Sequence, residues 1–387
     1  MNNTVLFSHP KLAEKIVEIS YAVYAFITTI QFTQIRYFSW FSPLFRVVEV
    51  LLILSIAVSI LIGKRFDRKQ FIIAALFLLL GIVVMIQTNR QAEIILLFGF
   101  ILAGYEMNSD HFLQYYIGAI VAACALTELL LLLGIVSPIN SLSEYGDPNR
   151  LTLGFNYHSY LPNHFFHAVL AYFALKKKDI NLKETVVILS LNCVLYYFTK
   201  TSAAFLCVLV MIFLMWVLKL SSPNLKSKVS NLFIYSTVLF CGLSYALALL
   251  WKPEKKILSI LNSFLHGRLE LGHQGLLKIG ISLFGRDYWF NQTSGVYDYV
   301  DSSFLHIAII YGIVVLILLI LGFTILTKKA ANAKRYAFCA AIFVLMLHSS
   351  VEPQLLDLSY DPFLLMLGAT MLGVNLFSSA VPQHGDE

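Results

Sequence analysis

The stretch PLFRVVEVLLILSIAVSILI (residues 43–62), followed by GKRFDRK (63–69) and QFIIAALFLLLGIVVMIQ (70–87), decides what kind of molecule this is. Two apolar runs of roughly 20 residues, each long enough to cross a bilayer as a helix, flank a short loop crowded with basic charge. Inside the first run Arg46 and Glu49 stand one helical turn apart, where they can neutralise each other. The alternation recurs along all 387 residues: 58% are hydrophobic, 13% are charged, and the mean hydropathy is +0.76. A soluble domain carries about a quarter charged residues. The composition therefore predicts an all-α polytopic membrane protein, one integral membrane domain over 1–387. It excludes a secreted enzyme, a nucleic-acid binder and a disulfide scaffold.

Hydropathy predicts twelve spans, near 16–36, 43–62, 70–87, 92–107, 113–136, 159–175, 184–199, 201–219, 231–250, 303–326, 336–350 and 361–378. The net charge of +6 sits in the connecting loops. With the N-terminus in the cytoplasm, Lys64, Arg65, Arg68, Lys69, Lys176, Lys177, Lys178, Lys183, Lys219, Lys226, Lys228, Lys328, Lys329, Lys334 and Arg335 all fall inside. The short outer loops then hold only Arg36, Arg90, Arg150 and Lys200 as single basic residues. This asymmetry follows the positive-inside rule and places both termini in the cytoplasm. Trp40 and Trp251 mark the outer interface and Trp216 the inner one. The polar leader with Lys11, Glu14 and Lys15 lacks a small-residue cleavage site, so no cleavable signal is expected. Cys124, Cys193, Cys207, Cys241 and Cys339 all lie in apolar segments and form no CxxC pair, which reads as free buried thiols.

Residues 251–302 break the pattern of short connections, as one long loop on the outer side. Ile257, Leu258, Leu261, Phe264 and Leu265 recur at helical spacing, which predicts an amphipathic helix on the membrane surface. His266-Gly267-Arg268 interrupts it, and a second helical stretch runs to about Phe284. A tight turn at Gly267 would point Arg268 back toward the bundle.

The chain has no phosphate-binding lysine loop, no GxGxxG after a strand, no DxD pair and no HExxH. Neither ATP nor a nicotinamide is expected, and a nucleotide-sugar donor is disfavoured. Polar residues gather instead on the outer side: Asp147-Pro148-Asn149-Arg150, His158, Asn163, Lys200-Thr201-Ser202, Arg268, His273, Asp301-Ser302-Ser303, His348 and Glu352. Three separated cations, Arg150, Lys200 and Arg268, facing one cavity would suit a polyanion such as a diphosphate. A carboxylate or histidine among them can act as a general base. Each has a plainer reading: Arg150 as an interfacial anchor, His158 as a hydrogen-bonded interface residue, Lys200 as a snorkelling side chain. Glu128 lies within the fifth span, where a carboxylate is costly unless paired or facing a wet cavity.

The stretch Leu265-His266-Gly267-Arg268-Leu269-Glu270-Leu271-Gly272, with Gly275-Leu276 and Leu283-Phe284-Gly285, leads into Val300-Asp301-Ser302-Ser303-Phe304-Leu305 and Tyr311-Gly312. It resembles the long extracytoplasmic loop and following span of the Wzy-type polysaccharide polymerases of capsule, exopolysaccharide and O-antigen-like clusters. His348-Ser349-Ser350-Val351-Glu352-Pro353-Gln354 with Tyr360-Asp361-Pro362-Phe363 resembles that family's last loop and span. Arg150 with Gly154-Phe155 and Asn163, and the turn Thr199–Ser202, are similar to two further family features. Two departures stand out: Ala203 where many members carry arginine, and Asp361 where asparagine is common.

The resemblance implies a GT-C-like, metal-independent glycosyltransferase of the bacterial cytoplasmic membrane, without a cofactor. It would transfer a growing glycan from polyprenyl diphosphate to a sugar hydroxyl of another lipid-linked repeat unit. It implies catalytic roles for His158, Arg268, Asp301 and Glu352, and substrate binding by Arg150, Lys200, Asn163 and His273, with His158 slightly favoured as base. Candidate partners are the lipid-linked oligosaccharides, membrane lipid, and the flippase and chain-length regulator of the same pathway; nucleic acid is not among them. A ligase passing the glycan to another acceptor is one alternative. A twelve-span transporter or flippase is the other, since Gly63-Lys64-Arg65-Phe66-Asp67-Arg68 partly matches a transporter loop motif. That match fails at Lys69-Gln70-Phe71, and the middle loop near 176–183 is short for that class.

Overall fold

A capping box starts the helix that follows the basic loop: Asp67 Oδ1 accepts from Gln70 N at 2.8 Å, and Gln70 Oε1 accepts from Asp67 N. Asp67, within the partial transporter-loop match, is thus a helix cap. Asn181 and Glu184 form the same box at the start of the helix Leu182–Thr199. The computed structural model describes residues 9–63, 66–139, 150–176, 179–290, 298–374 and 376–377. Lys64, Arg65, Asp147, Pro148, Asn149, Lys177 and Lys178 lie outside the described residues.

The described helices are α1 (Pro10–Gln31), α2 (Phe41–Ile62), α3 (Arg68–Thr88), α4 (Gln91–Ala103), α5 (Ser109–Leu132), α6 (Tyr160–Leu175), α7 (Leu182–Thr199) and α8 (Ser202–Leu220). They continue as α9 (Pro223–Phe233), α10 (Ser236–Leu250), α11 (Lys256–Phe264), α12 (Arg268–Lys278), α13 (Ser303–Ile310), α14 (Ile313–Asn332), α15 (Tyr336–Ser349) and α16 (Met366–Met371). Among the described residues there is no strand, only the isolated bridge Thr33–Phe155.

Six described helices are long and apolar enough to cross a membrane: α2, α3, α5, α7, α8 and α14. The pair α9–α10, bent by 44°, is apolar enough to make a seventh when counted as one broken span. Hydropathy predicts twelve, and the difference lies in the middle of the bundle. The 13-residue α4, 16-residue α6 and 14-residue α15 are largely buried, with α6 packed against α5, α7, α8 and α15. A 14-residue helix is about 21 Å long, short of the roughly 30 Å hydrocarbon core. Enclosed by other helices, it need not match the bilayer, because protein and not lipid surrounds its ends. α1 has 22 residues, but Lys11, Glu14, Lys15 and Glu18 occupy its first half.

The outer helices turn large apolar side chains outward: Leu51 and Leu61 on α2, Phe71 and Ile86 on α3, Phe213 on α8. Apolar surface on this scale belongs against lipid tails. The chain is a helical membrane-embedded protein.

Chain direction separates the bundle's two ends. At one, His9 N donates to Ile62 O, Asn108 N to Glu14 Oε1, Lys219 Nζ to Ile180 O and Lys329 Nζ to Val374 O, and Arg335 pairs with Asp110. This end collects the described basic loops. At the other, the loop before α6 is tied to the end of α1 and to α7 through Gln34 N–Gly154 O, Asn156 N–Phe32 O and Leu151 N–Phe198 O.

Three expected elements differ. The span expected at 361–378 is a 3₁₀ turn, Pro362–Leu365, followed by the six-residue α16. The second helical stretch of the long loop stops at Lys278, where Gly280 takes φ +75°, and does not reach Phe284. The span expected at 303–326 is broken at Gly312 into α13 and α14. Residues 282–286 complete the break: Ser282 N donates to Ala308 O and Arg286 N to Ile310 O, while Ile313 N and Val314 N donate to Ser282 O and Leu283 O. Gly312 has φ +101°, and a Cβ there would lie 2.5 Å from Leu283 O. Left-handed strain and a backbone clash act together, so Gly312→Ala is expected to destabilise by about 2 kcal/mol or more. A lowered thermal midpoint of the detergent-purified protein would register it.

Candidate active site

Four separated segments meet at the end opposite the basic loops. The loop before α6 supplies Arg150, Tyr157 and His158, and α6 supplies Asn163. Thr33, Gln34 and Asn156 fix this loop, with Asn156 Nδ2 donating to Thr33 O at 2.9 Å. Arg150 Nη1 lies 3.0 Å from His158 Nε2. A guanidinium only donates, so Nε2 must accept, leaving a neutral imidazole with its proton on Nδ1. The lone pair that a general base would use is occupied by Arg150.

The turn before α12 supplies Arg268, as the sequence predicts. His266 and Gly267 take φ +53° and +86°, and Asn262 Oδ1 accepts from Leu269 N and Glu270 N at 3.1 Å each. This reversal carries Arg268 between two carboxylates: Nη2 is 2.6 Å from Glu352 Oε1 and Nε is 3.6 Å from Asp301 Oδ2. Glu352, 5% exposed, takes further donors on Oε2, from Asn163 Nδ2 at 3.5 Å and Gln354 Nε2 at 3.4 Å. Its backbone carbonyl accepts from Ser303 Oγ at 2.5 Å, which ties the last loop to the start of α13.

One guanidinium thus faces two carboxylates. Glu352 holds the short charge-assisted bond. Burial pushes the Asp301 carboxyl up to about 7, with Glu352 raising it further and Arg268 opposing. Asp301 is therefore poised to exchange a proton near neutrality, as a general base requires. Tyr157 feels the charges of both halves. Burial raises its phenol, Asp301 and Glu352 add to this, and Arg150 and Arg268 pull the other way.

Arg150, His158, Asn163, Arg268, Asp301 and Glu352 therefore share one end of the bundle, and direct contacts join Asn163 and Asp301 to the Arg268–Glu352 pair. Lys200 and His273 are placed differently. Lys200 caps α7 with φ +53°, its ammonium 4.7 Å from the centre of the Tyr197 ring. The His273 ring bonds to Ala248 O on α10 at 2.8 Å. Glu128, expected to need a partner, has a buried Oε1 with none among the described residues. Tyr157, Asn262, Ser303 and Gln354 carry structural weight that sequence reading did not assign, since such residue types are ordinary at membrane interfaces. Among the described residues no three His, Cys, Asp or Glu side chains are grouped to hold a metal ion. No protein-family model, curated protein or solved structure matches the chain.

Proposed function

We propose that the protein is a polysaccharide repeat-unit polymerase of the bacterial cytoplasmic membrane, acting on its outer face with both termini in the cytoplasm. The observation that carries the reading is Arg268 shared between Asp301 and Glu352, with Arg150 at the same end of the bundle. In the reaction the acceptor sugar hydroxyl attacks the anomeric carbon of the donor glycan. A new glycosidic C–O bond forms, and the bond from that carbon to the diphosphate oxygen breaks. The polyprenyl diphosphate leaves with the electron pair, and the hydroxyl proton passes to Asp301. Arg150 and Arg268 stabilise the charge that develops on the departing diphosphate. Glu352 holds Arg268 in place, and Asn163 holds Glu352.

The test supplies membranes containing the protein with the lipid-diphosphate repeat unit from a host lacking the gene, without nucleotide. A gel ladder of longer lipid-linked glycans is expected. Movement of the unit across sealed vesicles without a ladder would make the protein a transporter instead. Because the Lys200 ammonium rests on Tyr197, Lys200→Ala is expected to keep the ladder within about twofold of the parent, in line with the small worth of exposed charges.

A further inference from the structure

Next to the Arg268 cluster, where Pro353 follows Glu352 in the last loop, lies a cavity of about 480 Å³. Pro353, Leu356, Asp357 and Ser359 of the last loop line it, with Ile307 and His306 of α13. These are the segments that carry Glu352 and Asp301, so the two sites share their scaffold. Aromatic rings from four parts of the chain wall the cavity: Tyr24, Phe32, Trp289, Phe290, Tyr299 and Tyr311. Glu49, Arg90, Glu93 and Asp357 are set among them.

The polar groups are held in place with capacity left over. The Arg90 guanidinium stacks 4.2 Å from the centre of the Trp289 ring, and its Nη1 lies 3.4 Å from Glu93 Oε2. Its Nε is buried without a partner among the described residues. The other Glu93 oxygen accepts from Tyr311 OH. Asp357 takes its bonds from Ser359 N and Oγ on Oδ1, at 2.8 and 2.6 Å. Trp289 is 69% exposed, leaving most of the indole free at the mouth.

Flat aromatic faces beside fixed carboxylates and one arginine match a ring with apolar C–H faces and hydroxyls around its edge. Lipid tails would have no use for the charges, and a phosphate group would meet three carboxylates against one cation. The geometry points to this cavity as a carbohydrate-binding site that seats a sugar ring of the acceptor next to Asp301 and Glu352; the word acceptor rests on the polymerase reading, the sugar chemistry on the cavity itself. Asp357 receives ring hydroxyls, and Trp289 stacks on a ring face.

Tryptophan emission of the detergent-purified full-length protein tests it. The probes are cellobiose, lactose, chitobiose and the oligosaccharides released by mild acid from the lipid-linked pool of cells lacking the gene. Saturable quenching by at least one probe is expected, abolished in Trp289→Phe, with Kd raised at least tenfold in Asp357→Asn. No saturable quenching by any probe, quenching that survives Trp289→Phe, or an unchanged Kd in Asp357→Asn would overturn the assignment. Sugar binding without a glycan ladder would remove the polymerase reading and leave the cavity standing. A ladder without sugar binding would remove only the cavity.

Discussion

Arg268→Ala is expected to lower chain growth by about 10²–10³-fold, the loss that follows removal of one donor aimed at developing negative charge. Two costs add in this variant. The leaving diphosphate loses a cation, and Glu352 and Asp301 lose the charge that opposes them at 2.6 and 3.6 Å. Breaking a buried pair from one side typically costs about 3–5 kcal/mol, so membrane level and detergent elution are measured alongside the ladder. Arg268→Lys separates the two effects. Lysine keeps the charge as a single point but not the fork that meets two carboxylates together. That variant is expected to accumulate normally and still show most of the activity loss. A full ladder from Arg268→Lys would take the fork out of the reaction.

The second large effect is expected at Asp301. Its carboxyl is held up to about 7, by burial first, with Glu352 adding and Arg268 opposing; Tyr157 is the further titratable group that senses it. A base must be ionised, so the rate of chain growth should rise with pH and level off above about 7. Asp301→Asn is expected to lower the rate by about 10²–10⁴-fold, the usual contribution of a positioned acid or base, and to flatten this rise. The stability sign runs the opposite way. The folded state holds the Asp301 proton more tightly than the unfolded chain, so this contribution is full below the ordinary carboxylate range. It is lost as pH rises through about 7. Rate profiles of parent and variant from pH 5 to 9 decide the matter: an unchanged rise in Asp301→Asn would assign it to another group.

Much of the site was legible because charge is expensive near a bilayer. An arginine beside a left-handed glycine in an otherwise amphipathic loop, and a glutamate closing an apolar run, stand out against their surroundings. Side-chain type does not carry tautomer or partner, however. His158 reads as a base until Arg150 is found on its Nε2, and nothing in the residue type of Gln354 announces its bond to Glu352. The helical class was equally plain, but the division into crossings was not. Hydropathy records that a segment avoids water and not whether lipid or protein replaces it. The buried α4, α6 and α15 therefore look like the outer helices, though each is too short to bridge the hydrocarbon by itself. The break at Gly312 was hidden for a related reason, since its apolar flanks continue unbroken from Ile307 to Leu321 except for that glycine and Tyr311.

The segment that completes this break has a consequence for how the protein is made. Residues 282–286 precede α13 and α14 in the chain, so the ribosome delivers them first. The carbonyls of Ala308 and Ile310, and the amides of Ile313 and Val314, then emerge to partners already synthesised. A kinked crossing left alone in lipid would hold bare backbone groups at several kcal/mol each. Here the order of synthesis removes that intermediate, because residues 282–286 are already present when α13 and α14 emerge. The kink and the long loop therefore mature as one unit during biogenesis.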